Sequence, residues 1–344
     1  MSDYKTYILN ENDLDLWDNY IRNSECGTIF HKIEWLQAAA DHSKMRLIPI
    51  AVRKGDTTVC LFPLFVKKKY GLRILLSPPN RCAISYLGPV MNIQSRNNYN
   101  YEWTYINIID EIIQFAEKQI GFDYFRIIHV PEMQDMRPYI WKGFAVQPKY
   151  TYKFNLFDGN EKIFNNFHTT AKNKTKLAMK NNEISISRDR MQAYTILSLA
   201  ERRSYDQKIK FRISTDYFNK LMDTSISNNF ESTAIIHEGR TIVGSIDLLD
   251  KNNVYAWIAS MSKEDYVPGG GELSLWERIK DYHNRGYKTF DMVDANIRRL
   301  CKHKSRYGAS LVNYYYTYKT SIKGNIALKL INMYNNKIND SSGL

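Results

Sequence analysis

The chain has 344 residues, of which 44% are apolar and 24% charged, a balance typical of folded proteins and not of disordered ones. No apolar run reaches the roughly 18 residues that a membrane span needs, and the first residues lack the apolar core of a secretory signal. The net charge of +12 indicates an anionic partner, such as a phosphorylated substrate, a nucleic acid or an anionic membrane surface, or else only a soluble basic surface. The four cysteines lie far apart, so we expect reduced thiols in a cytoplasmic protein.

The first half of the chain alternates predicted strands and helices. Leu47–Val52 and Val59–Val66 are apolar runs of strand length, and the turn residues around Gly55 join them as a hairpin. Ile106–Gln119 places apolar residues three and four positions apart, which predicts a helix. Phe125–Val130 is then a short apolar strand.

The second half repeats this order of elements. Thr233–Ile236 and Ile242–Leu249 are predicted strands around a second glycine turn. Glu272–His283 is predicted to be a helix with one apolar face, and Phe290–Val293 is the next strand.

Local matches in the same order support a duplication of this α/β unit. Gly121–Ile127 resembles Gly286–Met292 at an offset of 165 positions, and Tyr150–Lys153 resembles Tyr316–Lys319 at an offset of 166. The alternative is chance, because any two α/β units share glycine stops and apolar strands.

The duplication predicts an α/β fold with two tandem domains, each a mixed sheet flanked by helices. We place the first domain at residues 1–153 and the second at 154–321. The remaining tail, 322–344, is expected to pack back on the first domain.

A basic segment lies between the predicted domains. Asn160–Asn182 interleaves apolar residues with lysines, which predicts one helix with an apolar stripe and a basic face. The lysines are Lys172, Lys174, Lys176 and Lys180. This face is either a track for phosphates or a solvated surface.

Several common chemistries lack their motifs in this sequence. There is no Walker loop, no GxSxG elbow, no HExxH pair and no cysteine–histidine cluster with zinc spacing. We therefore expect no metal site and no tightly bound cofactor, and we disfavour ATP hydrolysis, metalloenzyme chemistry and a triad hydrolase.

The most informative stretch contains a glycine loop. The predicted strand Tyr255–Ser260 is followed by Gly269, Gly270 and Gly271, and a helix begins at Glu272. Glycines allow the backbone to approach a ligand closely, and a helix N-terminus offers free N–H groups to an anion. We therefore predict that these glycines form a loop that binds the donor or another anion.

The order of motifs around this loop resembles the core of the GNAT acyltransferase superfamily. After the glycine loop and helix come Gly286-Tyr287-x-x-Phe290-Asp291, Asn296, and His303-Lys304-Ser305-Arg306-Tyr307-Gly308. More narrowly, the chain resembles the Fem family, whose members attach amino acids from charged tRNA to peptidoglycan precursors, and the related BioF2-like domains. The resemblance covers roughly residues 28–320 and implies two tandem GNAT-like domains.

Weaker landmarks of the same families occur elsewhere. Phe30-His31-x-x-x-Trp35 and Tyr86–Val90 are similar to early family landmarks. Arg203, and Arg212 just before Asp216-Tyr217-Phe218, are similar to the family's arginine-bearing helix and following aromatic pair.

The sequence also departs from the family pattern. His303 stands where the Fem motif begins with Phe, and Trp257 stands where a Tyr is common. The loop Tyr266–Gly271 has glycines but lacks the Arg or Gln that grips the coenzyme A pyrophosphate in ordinary GNAT enzymes. This departure weakens the argument for an acyl-CoA donor.

The resemblance implies an acyl transfer to an amine and assigns the site residues. We predict that Lys304 is catalytic and that Asp291 is either a catalytic base or a structural acceptor. The residues predicted to bind substrate are Arg203, Arg212, Trp257, Ser260, Arg306 and Tyr307. Arg203, Lys304 and Arg306 are expected to converge on a phosphate group, because a dianion needs several donors at once.

The favoured hypothesis is that the protein is a Fem-like N-acyltransferase. Its activated donor would be an aminoacyl-tRNA, and its acceptor an amine on a phosphorylated precursor of the cell envelope, either a small molecule or a lipid-linked one. The first alternative is an acyl-CoA-dependent N-acetyltransferase of the same fold. The second is a non-catalytic nucleic-acid-binding protein that uses the basic helix, although no RRM or KH signature is present.

Overall fold

The computed structural model describes residues 3–10, 13–209, 211 and 213–330. The chain forms two compact units. Unit 1 contains the chain up to Pro148 together with the residues from Tyr314 onward, and unit 2 is Lys149–Asn313. Residues 331–344 of the predicted tail lie outside the described residues, whereas 322–330 are helical.

The elements follow one another as alternating strands and helices. The strands are β1 Tyr4–Ile8, β2 Arg46–Lys54, β3 Thr57–Lys69, β4 Leu72–Ser77, β5 Val90–Met91, β6 Tyr124–Ile128, β7 Ala145–Asn155, β8 Ile184–Ser187, β9 Phe230–His237, β10 Arg240–Asp250, β11 Asn253–Met261, β12 Thr289–Asp291 and β13 Ser310–Thr320. The helices are α1 Leu14–Asn23, α2 Ile33–Ser43, α3 Asn98–Phe115, α4 Arg137–Trp141, α5 Asn160–Asn165, α6 Thr169–Met179, α7 Gln192–Asp206, α8 Thr215–Met222, α9 Gly270–Asn284 and α10 Arg298–Lys304.

The strands of unit 1 are ordered β1-β2-β3-β4-β6-β13. Every neighbouring pair is antiparallel except β4 with β6, which run parallel. The short strand β5 pairs with β3 off this path. A parallel pair needs a crossover connection, and α3 lies in the crossover between β4 and β6.

The strands of unit 2 are ordered β8-β9-β10-β11-β12-β7. Again every pair is antiparallel except one, β11 with β12, and α9 lies in the crossover between them. The same succession of pairings thus occurs twice. This confirms the prediction of two α/β units with mixed sheets and the same strand order.

The last strand of each sheet comes from the other repeat, which the sequence did not indicate. The matching segments Tyr150–Lys153 and Tyr316–Lys319 lie in β7 and β13. β7 follows the first repeat but pairs with β12, and β13 follows the second repeat but pairs with β6. The units therefore divide at 148/149 and 313/314, and not at the expected 153/154 and 321/322.

The core of unit 2 lies between its sheet and α9. Leu275, Ile279 and Tyr282, spaced four and three residues apart, fall on one face of α9 and are buried. Phe154 and Phe290 pack against this face from the sheet. Full burial of each large apolar side chain contributes about 1.5–3 kcal/mol, so this face holds α9, and the loop before it, in place.

The predicted basic helix is divided in two. α5 ends at Asn165 and α6 begins at Thr169, because the backbone N–H of His168 donates to the carbonyl oxygen of Arg306 at 2.7 Å. The His168 side chain then accepts from the N–H of Thr170 as an N-cap. Ala171 and Ala178 of α6 are buried, while Lys176 and Lys180 are exposed.

No helix within the described ranges combines the length and the hydropathy that a bilayer span requires.

Candidate functional site

Strands β11 and β12 of unit 2 pair briefly and then part. Asn253–Tyr255 pair with Thr289–Asp291, where β12 ends, whereas β11 continues to Met261. An irregular register opposite Ile246 and Asp247 of β10 adds a bulge to β11 in this region. Beyond Tyr255, the edge of β11 turned toward β12 therefore no longer belongs to a regular ladder. Backbone donors at such an opening suit an extended ligand or a developing oxyanion.

Two residues predicted to bind substrate lie on this segment of β11. The side chain of Ser260 is buried, and its Oγ has no hydrogen-bond partner among the described residues. Leaving a buried hydroxyl unpaired costs about 1–3 kcal/mol, so a ligand group that bonds to it would recover that energy. Trp257 is half-buried and stacks on Phe218 with ring centroids 6.3 Å apart. It also contacts Phe230, so part of its surface is used in packing.

The glycine loop has a packing role that the sequence did not show. Gly269 has φ +85°, and a Cβ at that position would lie 2.1 Å from the carbonyl oxygen of Lys174 in α6. Only glycine therefore permits α9 to begin so close to α6. Gly270 is also buried, whereas a Cβ on Gly271 would meet no atom within 4 Å. Of the predicted loop glycines, Gly271 is the one whose missing side chain leaves open space.

A carboxylate lies at the N-terminus of α9. Glu272 is in the first turn of this helix, where the helix dipole favours negative charge. Its side chain is only 12% exposed, and an oxygen lies 3.8 Å from Nζ of Lys174. The position that an anionic donor would use is therefore adjacent to a protein carboxylate.

Asp291 is fully buried at the end of β12. Its Oδ1 accepts hydrogen bonds from Thr151 Oγ1 at 2.5 Å and from the backbone N–H of Val293 at 2.8 Å. Its Oδ2 lies 3.8 Å from Nζ of Lys153. These contacts join β12 to β7 and hold the following turn. They correspond to the structural alternative for Asp291 and leave its carboxylate out of reach of a substrate.

Lys304 is directed into the backbone of the same turn. Its Nζ donates to the carbonyl oxygens of Met292 at 2.8 Å, Asp294 at 2.7 Å and Val293. An ammonium group has three protons, so these contacts use its whole donor capacity. Val293 and Asp294 both have positive φ, at 43° and 51°, and Lys304 holds that left-handed turn. This geometry differs from the predicted catalytic role, and burial lowers the pKa of Lys304.

The positive charges of this region surround His303. His303 is exposed, yet the protein packed around its ring lowers the pKa of the imidazole by partial desolvation. Glu272 raises that pKa, and the charges of Arg306, Lys304 and Arg203 lower it. Arg203, Lys304 and Arg306, which the sequence analysis expected to converge, thus all lower the pKa of the same imidazole. The pKa of Arg203 is itself lowered by burial and by neighbouring Arg299, whose guanidinium donates to Gln207 at 3.2 Å. We call Arg203, Arg299, His303 and Arg306 the basic cluster.

Tyr307 and Arg212, which were also predicted to bind substrate, are not part of the basic cluster. Tyr307 is only 2% exposed and packs edge-on against Phe167, so its ring belongs to the core. Its hydroxyl lies 3.4 Å from Nε2 of His303, and it therefore orients the histidine. Arg212 lies outside the described residues.

The sequence analysis noted His303 only as a departure from the Fem motif, and it gave no role to Glu272 or to a buried ion pair in unit 2. The signal for His303 was its replacement of the family's Phe. Arg278 of α9 donates to Asp247 of β10 at 2.6 Å, and Tyr282 donates to the other oxygen of that carboxylate at 2.8 Å. The signal for this pair was an Asp inside the apolar run Ile246–Leu249. Among the described residues, no group of three or more His, Cys, Asp and Glu side chains could hold a metal ion.

Comparison with known proteins identifies the class to which this site belongs. Residues 165–305 match the family model described as an acetyltransferase (GNAT) domain. Residues 165–305 thus resemble a GNAT-type acetyltransferase domain, and the sequence-based prediction of an acyltransferase is confirmed. None of the curated proteins matches the chain significantly.

Solved structures show the same fold over most of the chain. FemX has a TM-score of 0.70 at 13% identity, over 91% of this chain and 96% of that one. The C-terminal domain of a putative lysylphosphatidylglycerol synthetase from Agrobacterium fabrum has a TM-score of 0.57 at 10% identity, over 93% and 96%. A tandem GNAT protein of the clavulanic acid pathway has a TM-score of 0.50 at 11% identity, over 92% and 98%. The fold is thus Fem-like with tandem GNAT units, as predicted.

Proposed function

We propose that this GNAT-type enzyme moves an aminoacyl group, or another acyl group, from an activated donor other than acyl-CoA. The acceptor is an amine on a phosphorylated precursor of the cell envelope, and the reaction takes place in the cytoplasm. The observation that carries this proposal is the distribution of charge in unit 2, with Glu272 at the N-terminus of α9 and the basic cluster around His303.

The charge at the glycine loop argues against coenzyme A. In a GNAT domain the pyrophosphate would lie on the N–H groups at the start of α9, which attract an anion. Here the carboxylate of Glu272 lies in that turn, and the backbone of Lys174 occupies the space beside Gly269. A pyrophosphate would meet a partly buried like charge, and like charges in such sites are costly. An activated ester without a pyrophosphate at that point avoids this repulsion.

The basic cluster suits the phosphate of the acceptor or of a tRNA donor. Arginine offers two parallel N–H donors to a phosphate, and Arg203 and Arg306 act on the same histidine. Arg299 adds a third guanidinium next to Arg203. Several guanidinium groups at one place would bind a dianion more tightly than scattered lysines do.

The neutral form of His303 suits proton transfer. The attacking amine forms a C–N bond to the carbonyl carbon, the C–O bond of the ester breaks, and the amine proton must leave. Because desolvation and then the cationic neighbours lower the pKa of His303, its imidazole is neutral near pH 7 and can accept that proton. It can then return the proton to the leaving alkoxide oxygen, which departs as a hydroxyl group. The Ser260 hydroxyl and the backbone of β11 are the candidate donors to the oxyanion.

The names of similar structures support an aminoacyl group. One of them is the C-terminal domain of a putative lysylphosphatidylglycerol synthetase, a name that describes an aminoacylated phospholipid. FemX covers nearly the whole chain. For this chain we infer a phosphorylated acceptor that is either soluble or lipid-linked, and charged tRNA as the donor.

Native mass spectrometry and a transfer assay test this proposal together. The purified protein is mixed with charged tRNAs and with nucleotide-linked or lipid-linked peptidoglycan precursors, and products are sought at the mass of one added aminoacyl residue. We expect such a product with at least one donor and acceptor pair. Acetylated products formed from acetyl-CoA, with none from charged tRNA, would contradict it.

Calorimetry with coenzyme A tests the role of Glu272 directly. We expect no measurable binding to the natural protein and measurable binding to Glu272→Gln, because the substitution removes the repelling charge. Glu277→Gln, which changes a carboxylate five residues further along α9, is the control and should not bind coenzyme A. Micromolar binding of coenzyme A to the natural protein would favour the acyl-CoA-dependent alternative.

A further inference from the structure

Unit 1 contains a buried cation that has no counter-charge among the described residues. Arg126, on β6, is only 8% exposed. Its Nη1 donates to Asn80 Oδ1 at 2.6 Å and its Nη2 donates to the carbonyl oxygen of Pro78. Its Nε is buried and has no hydrogen-bond partner among the described residues, and none of their carboxylates forms an ion pair with it. The guanidinium is thus tethered by neutral groups alone.

Such an arrangement is costly unless something else supplies negative charge. An ionised group away from water costs several kcal/mol if it is unpaired. A lysine or a carboxyl group in this position would lose its charge, but the arginine side chain stays protonated in proteins. Burial lowers the pKa of Arg126, but the ordinary value of a guanidinium is so high that the group stays charged. The missing negative charge therefore has to come from outside the described chain.

The surroundings of Arg126 are those of a ligand site. Tyr124 lies two residues before it on β6, Tyr318 is its partner on β13, and Tyr316 lies two residues from Tyr318, so the four side chains share one face. The guanidinium carbon lies 5.9 Å from the ring centre of Tyr316. The hydroxyls of Tyr124 and Tyr316 are 2.8 Å apart. All three tyrosines are half-buried and Asn80 is exposed, so this face meets solvent.

The other repeat provides a contrast at the equivalent position. The offset of 165 residues aligns Arg126 with Asp291, and the preceding residues, Phe125 and Phe290, are both fully buried. In unit 2 the carboxylate of Asp291 is satisfied by hydrogen bonds from Thr151 and Val293. In unit 1 the charge has the opposite sign, and Nε has no such partner.

We propose that the face formed by Arg126, Tyr124, Tyr316 and Tyr318 is a binding site for the oxyanion of a small ligand, either a carboxylate or a phosphate. The Nε–H and a remaining Nη proton of Arg126 bind the anion, and the tyrosines contact the adjoining part of the ligand. This site is independent of the donor and acceptor proposed for unit 2.

Thermal unfolding and titration of the full chain with three probes test this site. The probes are inorganic phosphate, glucose 1-phosphate and acetate, each titrated from a buffer free of oxyanions, with the arginine Nε–H signals followed by NMR. We expect a saturable rise in Tm and a saturable shift of one Nε–H signal. A response to both phosphate probes but not to acetate identifies a phosphate site, and the reverse identifies a carboxylate site.

Three variants connect the response to Arg126. Arg126→Lys loses Nε and, because a buried lysine here would be neutral, also the positive charge, so it should bind at least tenfold more weakly. Asn80→Asp puts a carboxylate beside Nη1, so it should raise Tm without ligand and weaken binding at least tenfold. Because Asn80 is exposed, this second variant should fold even if Arg126→Lys does not. Arg22→Gln, which removes an exposed arginine of the same unit, should behave as the natural protein. No response to any probe, or an equal response in Asn80→Asp, overturns the proposal.

Discussion

The Nζ atom of Lys304 lies 2.7 Å from the carbonyl oxygen of Asp294, a residue that adopts a left-handed conformation. Together with the carbonyl oxygens of Met292 and Val293, this contact makes Lys304 the support of the turn after β12. A lysine in the family's motif thus has contacts of a structural residue in this chain.

Replacement of Lys304 should therefore reduce stability. Lys304→Ala leaves three partly buried carbonyl groups without their charged donor. Hydrogen bonds to charged groups are each worth about 1.5–3 kcal/mol, and part of that loss is recovered by water, so we expect a loss of about 2 kcal/mol. Urea unfolding measures it.

Lys302→Ala is the matched control for this prediction. Lys302 is an exposed residue of the same helix, and such substitutions usually change stability by less than about 0.5 kcal/mol. An unchanged urea midpoint for Lys304→Ala, combined with loss of acyl transfer, would instead support the catalytic role predicted from the sequence.

Gly269 and Gly271 should respond to alanine in opposite directions. Gly269→Ala places a Cβ 2.1 Å from the backbone oxygen of Lys174 at a φ of +85°, so it should cost about 2–4 kcal/mol. Gly271→Ala meets no atom within 4 Å and lies in the first turn of α9, so it should stabilise by about 0.4–1 kcal/mol. Denaturant midpoints of the two variants give both numbers.

The same pair separates packing from ligand binding. If the glycine loop holds the donor closely, Gly271→Ala should reduce acyl transfer although the protein is more stable. Full activity of Gly271→Ala would limit the role of the loop to the contact between α6 and α9.

His129 should make the stability of the protein depend on acid. Its ring is fully buried in unit 1, Nε2 lies 2.9 Å from Thr317 Oγ1, and burial lowers its pKa from 6.5 to about 3. The unfolded chain therefore binds a proton below about pH 6.5 while the folded chain does not. The folding free energy is therefore unaffected by this ring above about pH 6.5 and becomes less favourable as the pH falls toward 3. Between pH 7 and pH 5 the loss is about 2 kcal/mol.

Urea unfolding at pH 7 and pH 5 checks the contribution of His129. His129→Gln should lower stability at both pH values but reduce the difference between them by about 2 kcal/mol. His42→Gln, which changes a half-buried histidine of the same unit, should leave the difference as it is. An equal difference in His129→Gln and the natural protein would show that this ring is protonated in the folded state.

The repeating strand order and the glycine stops could be predicted because periodicity and turn residues are local signals. The exchange of β7 and β13 could not, because the matching Tyr-Thr-Tyr-Lys segments show that two strands are equivalent without showing which sheet each one joins. Arg203, Lys304 and Arg306, which motif order brought together in the sequence analysis, all lower the pKa of His303.

The sequence could not predict the direction in which individual side chains point. The acceptors of Lys304 are backbone carbonyl groups, which have no sequence signature. Gly269 is required by the backbone of Lys174, 95 positions earlier in the chain. Tyr307 belongs to a family motif, yet its ring packs on Phe167 of another segment. In each case a contact between distant parts of unit 2 decides the role.

The acid side of the pH–rate profile should identify His303 as the proton acceptor. The neutral imidazole is the active form, so the rate of acyl transfer should fall below the pKa of His303, which its surroundings hold beneath 6.5. His303→Phe installs the residue usual in the Fem motif and should reduce kcat by about 10²–10⁴-fold, with loss of this acid limb. Steady-state transfer rates between pH 5 and pH 8 measure both effects.

Two neighbouring substitutions should move that limb in opposite directions. Arg306→Gln removes a positive charge that lowers the pKa of His303, so the limb should move to higher pH. Glu272→Gln removes a negative charge that raises the pKa of His303, so the limb should move to lower pH. A residue that only packs near the site would change the rate without these opposite shifts. If His303→Phe retains the acid limb, or if both substitutions leave its midpoint unchanged, the proton is accepted by another group.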